Sequence, residues 1–441
     1  LRRAAAPESG VSAHTAVAPP SPSPSFRRRA FPWLSLADGS ALQHAGMYSA
    51  CWEARSSVRA DAIDGASRVL ALAMHSGRRA AAQALPGHAP SSELPWHVIA
   101  VLLSRAESLA PSLRGTEVAL SLMQHVAPRA SPSNVLWLTS GTQAAAIDAS
   151  YAVSNAAHGG AWGLGRVARL EHAGVRVQCM DVRRELSVAS PSLPVFLGTA
   201  RSASETELAW AGGTCCAARL RPCSSIGMPW RVGAIIARGT YAITGGLGGL
   251  GLRAAVLLVR RGAGRLLLAS RSGRIARDGQ GLEVQLHALG AVAETVACDG
   301  ADPGDVRALF GRADRTLSGV LHAAGLGDRG LLATIYPHRM EALFATKAFG
   351  ASLLHFAVAA LPLQAQLLFS SVGSALGNVG QTNYAASNAC LDSHALARRT
   401  HGVEGYCVQW PLVGGTGMGA AVLASMEGRE SSIAGMAGIS L

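Results

Sequence analysis

Lys347 is the only lysine in this chain, so every other one of its 39 lysine and arginine positions is an arginine. Arginine keeps its proton and forms planar forks, whereas a lysine ammonium is a compact, tunable charge that can sit beside a phenol and stabilise its phenolate. Codon bias toward arginine would explain one surviving lysine, but it does not explain the neighbours. Tyr384 lies downstream, in Ser370-Ser371 … Asn383-Tyr384-Ala385-Ala386-Ser387-Asn388. Tyr384 and Asn388 are four apart on an expected helix and so share a face. Ser371 closes an expected strand thirteen residues before Tyr384. Reducing a ketone needs hydride on carbon and a proton on oxygen, and a phenol with pKa of about 10 is a poor acid without a nearby cation. Lys347 would supply that cation, Ser371 would hold the carbonyl oxygen, and Asn388 would orient Lys347 and a water that resupplies the proton. Each residue alone reads as ordinary polar structure; the combination reads as a site.

A donor of hydride needs its own cradle, and Thr244-Gly245-Gly246-Leu247-Gly248-Gly249-Leu250-Gly251 provides a candidate. It falls between a short strand, Tyr241-Ala242-Ile243, and a helical stretch from Leu252 to Arg261, the context that makes a glycine pattern meaningful. Missing side chains let backbone approach a pyrophosphate, and a helix N-terminus offers unpaired N–H groups to it. The next strand, Arg265 to Ala269, ends in Ser270-Arg271, where an acidic residue would grip the ribose of NAD. Arginine there favours the 2′-phosphate of NADPH, with a simple strand-end arginine as the alternative. Asp299 is a candidate for the adenine amino group or a plain turn residue. Ala323-Ala324-Gly325 leaves room for the cofactor, and the adjoining His322 reads as a packing residue and not an acid.

Composition supports a two-domain globular protein. The chain has 441 residues, 49% of them hydrophobic, more than one core usually spans. Residues 1–45, with Pro19-Pro20-Ser21-Pro22-Ser23-Pro24, read as a linker ending in the aromatic and basic Phe26 to Trp33. Residues 46–225 alternate strands such as Val135 to Leu138 and Val175 to Cys179 with helices. They contain Trp162-Gly163-Leu164-Gly165-Arg166 but no strand leading into a nucleotide turn. Residues 226–441 alternate in the manner of a doubly wound parallel sheet. The fold class expected is therefore α/β, with two Rossmann-like subdomains, the first truncated and binding no nucleotide.

A formal charge of +12 raises the question of nucleic acid, but the arginines are scattered and not interleaved with aromatics, so none is expected. The uncharged stretch Phe356 to Leu391 contains Pro362, glycines and many amides and hydroxyls, which fits a buried sheet-and-helix centre better than a membrane span. Eight cysteines show no metal-ligand spacing and read as reduced packing residues. With Leu1 first and no leader following, a segment of a longer, cytoplasmic polypeptide is expected.

The pattern resembles the ketoreductase domain of modular type I polyketide synthases. Most short-chain dehydrogenases carry Tyr-x-x-x-Lys with asparagine upstream; here Asn388 follows the tyrosine and Lys347 precedes it, the exchange typical of polyketide and fatty acid synthase reductases. Gly46 to Trp52 looks like the opening strand of that family's structural subdomain, Trp162 to His172 like its interior signature, and Glu207-Leu208-Ala209 like its exit. Phe26 to Trp33 resembles the end of a linker following an acyltransferase. The resemblance implies NADPH-dependent reduction of a β-ketoacyl thioester on the phosphopantetheine arm of an acyl carrier protein, with acyltransferase and ketosynthase domains in the same polypeptide. An acidic carrier would suit the positive charge.

This chain departs from the family pattern in places. The Leu-Asp-Asp fingerprint of one stereochemistry reads Gly327-Asp328-Arg329, the opposite type's tryptophan falls at Leu376, and the usual Trp-Gly-Pro-Trp-like strand end reads Trp410-Pro411-Leu412-Val413, beside a lid that includes Met418. Neither stereochemical direction is indicated. A fatty acid synthase reductase, an epimerase-only domain and a non-reducing scaffold are the alternatives.

Overall fold

The structure, a computed structural model, describes residues 48–54, 69–74, 81–84, 98–103, 110–128, 134–143, 156–182, 192–202, 204–211, 214–222, 239–275, 281–313, 317–403, 405–414, 418 and 439–440. The expected linker 1–45, with Phe26 to Trp33, lies outside the described residues. The chain divides into two compact units, Leu1–Cys51 with Leu220–Val232, and Trp52–Arg219 with Gly233–Leu441. Nearly all described residues belong to the second.

Two sheets carry the architecture. The first comprises β1 (Tyr48–Ala54), β2 (Val69–Met74), β3 (Ala81–Ala84), β4 (Val98–Leu103), β5 (Asn134–Ser140), β6 (Arg176–Val182), β7 (Glu207–Ala211) and β8 (Thr214–Pro222), in the order β1-β8-β7-β6-β5-β4-β2-β3. Its centre, β2-β4-β5-β6-β7, is parallel; β3 and β8 pair antiparallel to β2 and β7. Helices α1 (Leu113–Val126), α2 (Gly159–Glu171) and α3 (Leu193–Ser202) cover it.

The second sheet is built from β9 (Thr240–Thr244), β10 (Arg265–Ser270), β11 (Ala293–Ala297), β12 (Leu317–His322), β13 (Ala365–Ser371) and β14 (Tyr406–Trp410), all parallel, in the order β11-β10-β9-β12-β13-β14. This is the doubly wound order whose direction reverses between β9 and β12, the place where such sheets open a crevice for ligands. Leu266, Leu267 and Leu268 are fully buried, as a strand covered on both faces requires. The helices are α4 (Gly249–Arg260), α5 (Leu282–Leu289), α6 (Pro303–Gly311), α7 (Pro337–Phe344), α8 (Gly350–Val358), α9 (Val372–Leu376) and α10 (Thr382–Thr400). A short pair, β15 (Val413–Gly414) and β16 (Ile439–Ser440), follows. Among the described residues no helix is long and apolar enough to cross a membrane. The uncharged stretch supplies β13 and the buried first half of α10.

Each half of the chain has its own sheet, yet the halves share a core. Leu332, Ile335, Met340 and Phe344 pack with Met123, Val135, Trp137 and Trp162 in one cluster. The glycines of α2 make the join possible. A Cβ at Gly163 would lie 2.4 Å from the Ala385 carbonyl oxygen, and one at Gly159 2.7 Å from that of Ala389. Gly159 and Gly163 thus give α2 a helix-packing surface whose partner is α10, while Gly165 lies against Trp137 and Cys179 of the first sheet.

Candidate active site

The residues with catalytic chemistry gather at the carboxyl edge of the second sheet. Ser371 ends β13 and is the N-cap of α9; its Oγ accepts the Gly373 N–H at 3.1 Å, which leaves its hydroxyl hydrogen for another acceptor. Tyr384 stands in the first turn of α10 and Asn388 one turn later. Lys347 lies in a π-helical turn, Ala345–Phe349, inserted between α7 and α8. Such turns are rare and concentrate at functional sites.

Lys347 is 3% exposed, and its Nζ donates to the Phe369 carbonyl at 3.2 Å and lies 5.7 Å from the centroid of the Tyr384 ring. Burial lowers its pKa to about 8, against the opposing pull of Cys407 and Asp392. Burial raises the Tyr384 phenol, while Ser371 and Asn388 act to lower it. The phenol is therefore protonated at neutral pH, the form that can donate. Asn388 differs from expectation: its Nδ2 donates to the Tyr384 carbonyl at 2.9 Å, and its Oδ1 is buried without a partner. The lysine reaches across β13 to Phe369 instead, so among the described contacts Asn388 does not hold Lys347.

The glycine turn is sterically determined. Gly245 has φ +69°, and a Cβ there would fall 2.5 Å from Ala324 N; at Gly251 it would fall 2.3 Å from the Gly245 oxygen. At Gly248, by contrast, a Cβ would meet only the Gly245 oxygen, at 3.3 Å, so this glycine keeps a hollow open. Gly248 is also the N-cap of α4 and has no side chain to cap the helix's first N–H groups. A hollow at an uncapped helix start fits a dinucleotide pyrophosphate. Thr244 and His322 are partners on adjoining strands at the switch point, and Ala323 N donates to the Thr244 carbonyl at 2.9 Å. Ala323, Ala324 and Gly325 are half-buried beside the turn. Gly325 faces Lys347: a Cβ there would sit 2.7 Å from the lysine Cε.

On the neighbouring strand, Ser270 closes β10 and Arg271 is exposed in the turn that follows. Arg274, also exposed, belongs to the same turn, whose geometry is held by Ser270 Oγ and Ser272 Oγ donating to the Arg274 carbonyl. Asp299 acts in its own turn, Oδ1 accepting the Ala301 N–H at 3.0 Å, with the Asp305 carboxylate accepting the Asp299 N–H at 2.8 Å.

His322 is more than a packing residue. Its Nε2 meets the Lys347 carbonyl at 3.0 Å and its Nδ1 meets Thr244 Oγ1 at 2.7 Å, with the ring fully buried. Burial, then the Lys347 charge, lowers its pKa to about 4, so the ring is neutral. A carbonyl can only accept, so Nε2 carries the hydrogen and Nδ1 accepts from the threonine. One imidazole thus ties the glycine turn to the lysine segment. Asp392 is a second unforeseen brace: it accepts from Ser374 Oγ at 2.5 Å, Gln409 Nε2 at 2.7 Å and Cys407 Sγ at 3.0 Å, holding α9 behind Ser371. Burial, then Asp392, pushes the Cys407 thiol well up, so it stays a donor.

The first half of the chain also reaches this edge. Arg166 donates to the Ser374 carbonyl at 2.5 Å and is itself held by Glu207, which Arg169 also contacts. Burial alone would raise the Glu207 carboxyl, but the two guanidiniums prevail and hold it below its usual value. In the segment after β12, Asp328 receives Arg339 and, at 2.5 Å, Asn383 Nδ2, while Arg329 is exposed and Gly327 faces Met418.

Comparison with known proteins gives the same picture. Residues 239–415 match the model of the KR domain. Over 309 residues the chain is 36% identical to the polyketide synthase GfsB of Streptomyces halstedii, covering 67% of this chain and 6% of that protein. The chain spans only 4 to 16% of the length of such curated relatives. Among solved structures, an A1-type ketoreductase superimposes with a TM-score of 0.71 at 26% identity, covering 86% of this chain and 85% of that one. The first ketoreductase of the tylosin polyketide synthase does so with a TM-score of 0.61 at 30% identity, covering 73% and 68%. With the parallel sheet, the glycine turn and the matches in agreement, the chain belongs to the ketoreductase domains of modular polyketide synthases, within the short-chain dehydrogenase/reductase superfamily.

Proposed function

We propose that this chain reduces the β-ketone of an acyl thioester, carried on the phosphopantetheine arm of an acyl carrier protein, to the β-alcohol during polyketide extension. NADPH, held along the glycine turn, would supply the hydride. Tyr384 gives its phenolic proton to the carbonyl oxygen while Ser371 donates a hydrogen bond to the same oxygen. The resulting phenolate is stabilised by the Lys347 ammonium, whose buried surroundings strengthen the attraction. Asn388, with an unpartnered buried Oδ1 one turn from Tyr384, is the acceptor that would orient a water resupplying the proton. Thr244 to Gly251 would hold the pyrophosphate, Ala323 to Gly325 would leave room for the nicotinamide, and Arg271, in the Ser270–Arg274 turn, would meet the 2′-phosphate. Asp299 serves the adenine side.

The observation that carries this reading is the meeting of a protonated phenol, a buried ammonium and a serine hydroxyl beside an uncapped helix start at the switch point of the sheet. The chain's +12 charge suits an acidic carrier. The test is loss of reduced-nicotinamide absorbance with a small β-ketoacyl thioester, NADPH and NADH in parallel. Tyr384→Phe should lower turnover by about 10²–10⁴-fold while NADPH still binds. Near-normal turnover in that variant would refute the assignment of the proton donor.

A further inference from the structure

Glu171 ends α2, and each of its carboxylate oxygens is taken by a backbone N–H from a different segment of the second half: Oε2 by Leu332 at 2.6 Å and Oε1 by Gly380 at 2.7 Å. Those segments border the substrate side. One follows β12 and contains Asp328 and Arg329; the other leads into α10 and Tyr384. They also meet each other, Gly330 N donating to the Gly380 carbonyl at 2.9 Å. Gln124 of α1 adds to the grip, its Nε2 donating to the Leu332 and Ile335 carbonyls, both at 2.9 Å. A carboxylate at a helix C-terminus is locally unfavourable, because the negative end of the macrodipole repels it. A residue that opposes its own helix and is satisfied by two distant loops marks a position chosen by tertiary function. Beside the clamp, Leu331, Leu376 and Val379 are 52%, 40% and 55% exposed, an apolar border suited to an acyl chain.

We infer that Glu171 is a positioning residue: it holds the two loops in register and so sets the face on which the β-ketone meets Tyr384. This rests on the reductase reading. In Glu171→Gln the amide keeps one acceptor oxygen but points N–H groups at the other donor. Measured on the full chain, amide exchange in residues 326–335 and 377–381 should accelerate, kcat/KM for a β-ketoacyl thioester should fall about tenfold or more, the ratio of alcohol epimers should drift toward even, and NADPH affinity should hold. Unchanged exchange would overturn the clamp; faster exchange with unaltered epimer ratio and kcat/KM would overturn its positioning role. Should that variant fail to fold, Glu171→Asp keeps the charge but shortens the reach to both Leu332 and Gly380, and the same readouts decide with the same outcomes. If the unaltered chain reduces no thioester, the reductase reading fails, and with it the positioning role, while the exchange measurement still reports on the clamp.

Discussion

Replacing Gly325 by alanine puts a methyl carbon where Lys347 already lies, 2.7 Å from Cε and 3.1 Å from Nζ. Carbon atoms rest at about 3.5–4.0 Å, so the end of the lysine must retreat by about 1 Å. The backbone has no objection, since Gly325 is not among the glycines with positive φ, and the atoms displaced belong to a flexible side chain. The fold should therefore lose about 1 kcal/mol. The chemistry should lose far more, because Nζ would leave both the Phe369 carbonyl at 3.2 Å and its station 5.7 Å from the Tyr384 ring. A misplacement of that size costs about 10²-fold in rate. The assay is kcat for thioester reduction, with a pH profile and thermal denaturation in parallel. A pushed-out lysine is less buried, so the alkaline limb of the profile should move up from about 8 toward the ordinary lysine value. Wild-type kcat and an unmoved limb in Gly325→Ala would refute the claim that this buried ammonium is needed where it lies.

In the unaltered protein, kcat/KM should fall as pH rises through about 8, since the ammonium is the active form and burial has lowered its pKa to that value; a flat profile through pH 9 would remove Lys347 from the proton economy. Gly251→Ala, whose Cβ would strike the backbone oxygen of Gly245 at 2.3 Å, has no flexible atom to displace and should abolish NADPH binding, checked by fluorescence titration. His322 has a folded pKa of about 4 against about 6.5 when unfolded, so its contribution is complete above pH 6.5 and lost as pH falls toward 4. That loss amounts to about 3 kcal/mol, and His394, lowered to about 3, acts in the same direction. Denaturation midpoints should drop over that window, and less steeply in His322→Asn. Reversing charge in the Ser270–Arg274 turn, by Arg271→Asp with Arg274→Asp, should cost at least tenfold in NADPH affinity and spare NADH; an unaltered preference would place the phosphate elsewhere.

Much of this protein is written in local sequence. The glycine turn is legible because the positive φ of Gly245 and the close approach of Gly248 and Gly251 to it are set within eight residues, although Gly245 also abuts Ala324, and the strands around it because Leu266 to Leu268 read as a doubly buried run. The lone lysine and the Tyr384–Asn388 spacing name the chemistry because residue type and helical period are local properties. Other features needed the folded chain. No periodicity foretells the π turn that presents Lys347, or that its ammonium reaches Phe369 and not Asn388. His322 looks like packing until β9 and β12 align it between Thr244 and Lys347. The glycines of α2, which follow no strand and so read as no nucleotide turn, reveal their packing role only when α10 is laid against Gly159 and Gly163. Arg166, Glu171 and Gln124 act on residues more than 160 positions away. Sequence by itself determines which groups can donate, accept or carry charge, because that is set by covalent chemistry and by neighbours along the chain. Which of them meet, and with what pKa, is decided by tertiary packing, because desolvation and hydrogen bonding depend on distance in space.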